Sequence, residues 1–443
     1  MKKLVQSKTC LGLKTTLLAG AACIAVATGA HAQTSSQSSY NFWTSPTMTG
    51  NWNGARTKLK DIGISLGGFY TGEYADAISG GNRQGGDMAS QFGLGMDVDL
   101  GKLADLSGAT LHFAVNQRVG RNTSADYIGN RLAVQEVYGA GETLRIVEMS
   151  YEQELDANHI DTKVGFYPMG NDFASTPLLL SFQNVGFCIH PQNLPASSGW
   201  SDYPTGKWGG RIKYMPSASP TTYVELGVYD VNPGYYAKSN GLKVSTSGST
   251  GALIPLEVEY TAALGPDSLP GHYKAGVYYD TSSAKDAADV TSAQNTMVTG
   301  RYGGYLLVDQ MIYSFDGTPK RGLIAFAQVS YSDPQTSVFE STLDGGFVAE
   351  GPFAARPHDF IALGYVRAGL NNRTINAKEL ASGGKLYGLS DGEGVVELGY
   401  GLQATPWLLI HPNVQYITDP GTFSYNKHLK NAWALGLQTK IIF

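Results

Sequence analysis

Residues equipped for chemistry are plentiful in this chain, but the sequence does not gather them. Eight histidines occur. One, His31, lies in a leader-like segment, and the others form no H-E-x-x-H or comparable spacing that would place two imidazoles on one helix face around a zinc ion. No G-x-x-x-x-G-K-[ST] loop is present to cradle a phosphate. With 37 acidic residues in the chain, a pair of carboxylates at glycosidase spacing means nothing without geometry. Cys10 and Cys23 fall in the leader-like segment, leaving Cys188 alone, which excludes an intramolecular disulfide and a cysteine metal cluster. The expectation is no catalytic centre, no metal and no cofactor. A Ser/His pair assembled only on folding, as in a barrel lipase, is the hydrolytic arrangement the sequence leaves open.

Charged and amide residues do recur with a pattern, at every second position of short segments. In Ala109 to Arg118, Leu111, Phe113 and Val115 share one face and His112, Asn116 and Arg118 the other. Trp208, Ile212 and Tyr214 oppose Lys207, Arg211 and Lys213. Val224, Leu226 and Val228 oppose Tyr223, Glu225 and Tyr229, and Leu256, Val258 and Tyr260 oppose Glu257 and Glu259. Similar stretches begin near Ser65, Ala89, Leu144, Ile160, His272, Arg301, Gly322, Asp359, Gly394, Trp407 and Ala432. Period two is the signature of a strand with two unlike faces. About ten residues is the length at which a tilted strand crosses a bilayer. The segments number about fifteen, and because bacterial barrels usually take an even count, about sixteen strands are expected.

A soluble sandwich also alternates, and sequence does not say which face points inward. Repetition favours a barrel: many strands long enough to span, joined by polar turns such as Ser79-Gly80-Gly81-Asn82, Ser217 to Ser219 and Asp391-Gly392-Glu393-Gly394. Beyond the leader, no segment reaches the roughly 18 consecutive apolar residues of a spanning helix. Only a closed barrel would then satisfy the backbone in lipid. The 55 glycines and 26 tyrosines fit that reading, Gly relieving crowding in curved strands and Tyr occupying interfacial girdles. The last segment alternates Trp433, Leu435, Leu437, Thr439, Ile441 and Phe443 to the chain end, resembling the terminal strand that outer-membrane assembly machinery recognises.

The N-terminus points to export. Lys2, Lys3, Lys8 and Lys14 precede or enter an apolar stretch from Leu11 through Val26, and Ala30-His31-Ala32 supplies an A-x-A cleavage site before Gln33. A lipoprotein signal at Cys23 is disfavoured by Gly20 three residues earlier. Residues 1–32 are therefore expected to be a signal peptide, 33–64 an N-terminal segment with a short periplasmic helix, and 65–443 the barrel. Without the leader's four lysines the balance is 28 basic against 37 acidic residues. No long basic run offers a nucleic-acid surface.

Several ordered motifs resemble the carbohydrate-selective porins of the OprB family over most of the mature length. Gly50-Asn51-Trp52-Asn53-Gly54, with Arg56, Leu59 and Gly63, is similar to the family's opening segment, although Asn53 stands where Gly is commoner. Asn171-Asp172-Phe173, Phe182, Asn184, Phe187-Cys188 and Pro191 resemble its long central loop. Pro204 with Trp208-Gly209-Gly210-Arg211 resembles the entry to the next strand. His411-Pro412-Asn413-Val414-Gln415-Tyr416, Asp419-Pro420-Gly421 and Asn431-Ala432 resemble its C-terminal signature. The resemblance implies passive, saturable passage of monosaccharides such as glucose, small oligosaccharides or polyols through a constriction of arginines and acidic groups. A non-selective porin and a secreted or outer-membrane all-β enzyme are the alternatives.

The expected architecture is an all-β transmembrane antiparallel barrel with a short N-terminal helix and an inward-folded constriction loop. Arg56 to Ile62 reads as the helix, with Asn53 as cap and Gly63 as terminator. Residues 168–205 are too long for a periplasmic turn and too apolar for a surface loop. Leu178-Leu179-Leu180, Phe182, Phe187 and Ile189 need burial, and the inner wall is the dry place available. A channel for sugars needs polar side chains to replace hydration and aromatic faces for the rings. The alternation nominates Arg118, Lys163, Arg211 and Lys213 as donors, Glu148 and Glu225 as acceptors, and Trp200, Tyr203, Tyr223 and Tyr229 as ring contacts. Expected partners are carbohydrates, outer-membrane lipid and the barrel-assembly machinery, with no nucleic acid. No trimer contact can be read from the strands, so a monomer is preferred to a trimer.

Overall fold

The computed structural model describes residues 40–139, 141–155, 159–216, 222–265, 268–291 and 293–443. The proposed signal peptide lies outside them. Among the described residues, sixteen strands form one closed antiparallel sheet. The first half comprises β1 Ile64–Gly81, β2 Gly85–Asp99, β3 Ala109–Gly120, β4 Leu144–Leu155, β5 Ile160–Tyr167, β6 Lys207–Tyr214, β7 Thr222–Val231 and β8 Gly251–Leu264. The second half comprises β9 Leu269–Lys285, β10 Met297–Ser314, β11 Gly322–Ser332, β12 Phe339–Glu350, β13 Phe360–Leu370, β14 Gly392–Thr405, β15 Leu408–Thr418 and β16 Lys430–Ile442. Each strand pairs with its sequence neighbours, and β16 returns to β1 from Ile442↔Phe69 to Lys430↔Gly81. The closed ring leaves no edge strand. The segment missing from the alternating pattern is β12, where Gly345 interrupts the outward apolar face of Leu343 and Phe347, and Phe339 and Val348 turn inward.

The faces are inverted relative to a soluble protein. On β8, Leu256, Val258 and Tyr260 are 42%, 41% and 53% exposed, whereas Glu257 and Glu259 between them are 0% and 8% exposed. The same inversion runs through β3, β6 and β7: Phe113, Val115, Ile212, Val224 and Leu226 face outward, while His112, Arg211 and Glu225 are buried within. An apolar outer band of this extent is a lipid-facing surface. Tyr214, Tyr260, Tyr279, Tyr302 and Tyr313 are among its exposed aromatics.

Connections at the two ends differ, as in outer-membrane barrels with short periplasmic turns and longer outer loops. At the end shared by the chain termini, β14 and β15 are separated only by residues 406–407. Here too α1, Ala55–Asp61, leads into β1 and α2, Leu100–Ala104, joins β2 to β3. The expected helix is present, but its cap is not Asn53. That residue sits at φ 54 in the turn before the helix, a left-handed conformation that Asn tolerates better than most residues. The helix amide at Thr57 is served instead by Asn51 Oδ1 at 3.0 Å. Gly63 ends the helix at φ +100, and a Cβ there would meet the Asp99 carbonyl at 2.7 Å. No residue of α1 is buried, so it acts as a leader into the first strand. The far end carries the long connections, two of which include α3, Asn193–Ser197, and α4, Asn372–Ser382.

Candidate functional site: the lumen and its inward segments

Residues 168–206, between β5 and β6, cross the barrel interior. Leu179, Phe182 and Phe187 are buried against inward residues of the far wall, among them Val366 on β13, Val395 on β14 and Ile417 on β15. Phe182 stacks on Phe187 at 4.3 Å and meets Phe326 of β11 edge-on. A second apolar cluster joins Met169, Phe173, Leu194 and Trp200 to Tyr229, Tyr278 and Tyr305. The apolar run that sequence singled out is thus placed on apolar patches of the inner wall supplied by β11–β16.

Wall carboxylates hold the loop's backbone. Glu397 on β14 accepts from the Gln183 and Asn184 amides at 2.7 and 2.8 Å. Glu257 on β8 accepts from the Ala174 amide at 2.7 Å, and Asp280 on β9 from Gly199 at 2.6 Å. α3 is tied to β11 and β12, its Asn193 donating to Ser332 Oγ at 2.9 Å and Ser197 to the Phe339 carbonyl at 2.5 Å. Each carboxylate satisfies N–H groups that would otherwise be stranded away from water.

The connection between β3 and β4 also folds inward, which the sequence reading missed. Glu393 on β14 accepts from the Arg131 and Leu132 amides at 2.8 and 2.7 Å, and Glu73 on β1 from Val137 at 3.0 Å. Gln135 donates to the Glu73 carbonyl at 2.8 Å. The two inward segments meet where the Glu136 amide donates to the Gln183 carbonyl at 3.0 Å. Glu393 and Glu397, four apart on a strand, share the inner face by period two. Sequence analysis set Glu393 in a polar turn, whereas β14 already begins at Gly392, and the amides that the two carboxylates bind were not legible.

The wall from β2 to β9 carries a cross-strand series of charges. His112 lies between Asp97 at 2.8 Å and Glu152 at 3.0 Å. Arg211 pairs with Glu152, with Asp161 at 2.8 Å and with Glu225 at 3.1 Å, and stands 3.7 Å from Asp172 of the inward loop. Lys213 pairs with Glu225 at 3.2 Å and lies over the Tyr223 ring at 4.5 Å. Lys163 pairs with Glu148 at 2.7 Å and lies over the Tyr167 ring at 4.7 Å. Lys274 continues the series to Glu259 at 3.1 Å.

The nominated residues therefore fall into three settings. Arg211, Lys163, Lys213, Glu148, Glu225 and Tyr223 belong to this paired wall, with the Tyr223 hydroxyl donating to Glu257 at 2.6 Å. Arg118 is separate: it donates to Gln91 Oε1 at 3.1 Å and to the Gly139 carbonyl, and lies 5.8 Å from the Tyr203 ring. Asn116 donates to the Tyr203 hydroxyl at 2.9 Å. Trp200 and Tyr229, by contrast, are sealed inside the second apolar cluster at 0% and 1% exposure and present no ring face to solute. Two segments, 63–67 and 388–392, carry G-x-S-x-G spacing, but each leads from a helix into a strand, the reverse of a nucleophile elbow.

A closed barrel with an apolar exterior, a charged lumen and chain folded across its bore is an outer-membrane pore. Residues 83–443 match the model of the carbohydrate-selective porin, OprB family. The chain belongs to that family. It is 34% identical to Porin B of Pseudomonas aeruginosa over 420 residues, covering 89% of this chain and 91% of the relative. The high-pH structure of Pseudomonas putida OprB superposes with a TM-score of 0.84 at 32% identity, covering 91% of this chain and all of that one. The low-pH structure of the same porin gives 0.59 at 24% identity, covering 90% and 99%. The protein is an outer-membrane carbohydrate porin, a transport channel.

Proposed function

We propose that the chain admits monosaccharides and similarly small neutral solutes by passive, saturable diffusion, and that the narrowest passage lies where residues 168–206 and 121–143 meet inside the barrel. The observation that carries this reading is the docking of residues 168–206 on the far wall through Glu397. A bore crossed in this way passes solutes in contact with its walls, and contact produces saturation. Lys163, Lys213, Tyr203 and Tyr223 keep exposed surface that offers donors and ring faces, and the buried Asn116, Arg118, Glu148, Arg211 and Glu225 hold them in place. A hydroxyl-rich solute can exchange hydrogen bonds along such a surface as it moves.

Reconstitution in planar bilayers tests the proposal. Millimolar glucose should lower the ion current along a saturating curve, and R118A should weaken that block while the barrel keeps its heat-modifiable gel mobility. A current indifferent to sugars would instead identify a pore that sorts by size alone. We further propose cleavage after Ala32, α1 on the periplasmic side, recognition of the terminal strand by the assembly machinery, and a monomer. Intact mass of the exported protein and its mass in detergent check the first and last of these.

A further inference from the structure

The inward loop brings Asp202 beside Cys188 and His190, gathering three metal-ligating side chains. Cys188 follows the turn Val185–Phe187, with its amide bonded to the Val185 carbonyl at 3.0 Å. His190 comes two residues later, and Asp202 returns beside them after α3. One donor atom from each lies within 4.8 Å of the other two. His190 is 1% exposed, yet neither ring nitrogen has a hydrogen-bond partner; Nε2 stands 3.3 Å from Asp202 Oδ2.

The ring is held rather than loosely placed. Ile189 is pinned by its carbonyl, which accepts from Thr176 at 2.7 Å, and the segment before Asp202 by the Ser201 carbonyl, which accepts from Gly170 at 2.9 Å. Gly170 leaves room for the imidazole, since a Cβ there would lie 3.2 Å from His190 Cε1. Cys188 and Asp202 are half-buried.

From this geometry we infer that Cys188, His190 and Asp202 form a binding site for a divalent ion of borderline softness, zinc being the natural occupant, within the loop that crosses the bore. One thiolate, one imidazole and one carboxylate are a zinc donor set, and a fourth position stays open to water or solute. Metal–donor bonds of about 2.0–2.3 Å put tetrahedral donors roughly 3.3–3.7 Å apart. The His190–Asp202 separation of 3.3 Å already meets this, and no pair of donors stands more than 4.8 Å apart. Binding forms a sulfur–metal bond and releases the thiol proton to solvent. It joins the start of the loop's return path to its end, so an occupied site stiffens the segment and lowers sugar flux.

Cobalt titration of the detergent-folded porin tests the inference. One Co2+ should bind per chain with a thiolate-to-cobalt charge-transfer band in the near ultraviolet, and zinc should displace it. C188S should lose the band, and D202N should weaken binding roughly tenfold or more, each variant keeping heat-modifiable mobility as the sign of an intact barrel. In bilayers, micromolar zinc should lower the sugar-dependent flux of the wild type and leave that of C188S unchanged, each measured against its own metal-free value. Absence of the band in the wild type, or an equal band in C188S, overturns the site. A zinc effect that persists in C188S overturns its control of flux.

Discussion

Glu397 illustrates what single side chains do in this lumen. It accepts two adjacent loop amides, and hydrogen bonds to a charged acceptor contribute about 1.5–3 kcal/mol each. E397A strands both amides, so the loop should loosen while the barrel persists. The expected outcome is a higher single-channel conductance and a weaker glucose block, read in bilayers. Arg211 fails differently. Its guanidinium is 3% exposed and faces Glu152, Asp161 and Glu225. R211A leaves those carboxylates uncompensated, and breaking a buried ionic group in this way typically costs about 3–5 kcal/mol. A marked drop in the temperature at which the barrel loses its folded gel mobility is expected, beyond that caused by R118A. Alternation made both arginines visible. It did not separate the one locked in ion pairs from the one beside a tyrosine ring, because partners come from strands and loops far away in the chain.

Elements were legible to the degree that their two faces differ. β3, β6, β7 and β8 each set aliphatic or aromatic residues against charges, and the structure puts those faces outward and inward as expected. β12 escaped because the wall it belongs to is covered by the inward loop, so Val348 and Phe339 turn toward the interior and erase the contrast. The apolar run of residues 178–189 announced the need for burial, whereas the polar connection between β3 and β4 gave no comparable signal. α4 shows a further kind of link. Arg373 donates to Asp286 at 2.8 and 3.0 Å, tying the helix to the segment after β9, and this bond holds the Asp286 carboxyl below its ordinary range. A depressed carboxyl contributes stability above its unfolded pKa and loses it as pH falls through the folded value. Arg373 is half-exposed while Asp286 is not, and with one partner open to solvent the contribution is about 1 kcal/mol or less. Limited proteolysis near Lys378 should therefore quicken as the medium is acidified below the usual carboxylate range, and R373Q should show the faster rate already at neutral pH.

For the whole molecule, the outer band and the filled bore answer to different solvents. Val258, midway along β8 and 41% exposed, meets hydrocarbon; V258R should destabilise the barrel by about 2–4 kcal/mol, measured by reversible unfolding in lipid. The anchors of the inward segments also impose an order in time. Asn184 precedes Glu397 by 213 positions, and Leu132 precedes Glu393 by 261. A chain delivered N-terminus first presents both segments long before their anchors arrive, and contacts so distant form late. Closure itself waits for β16. If docking of these segments follows closure, a newly closed barrel is transiently wider than the finished one. Trp200, packed against Tyr278 and Tyr305, reports it: in a variant keeping only that tryptophan, its fluorescence should settle after the closed barrel has formed. Simultaneous arrival would show that wall and loop form together. In the stepwise order, the cell acquires a leak before it acquires a filter.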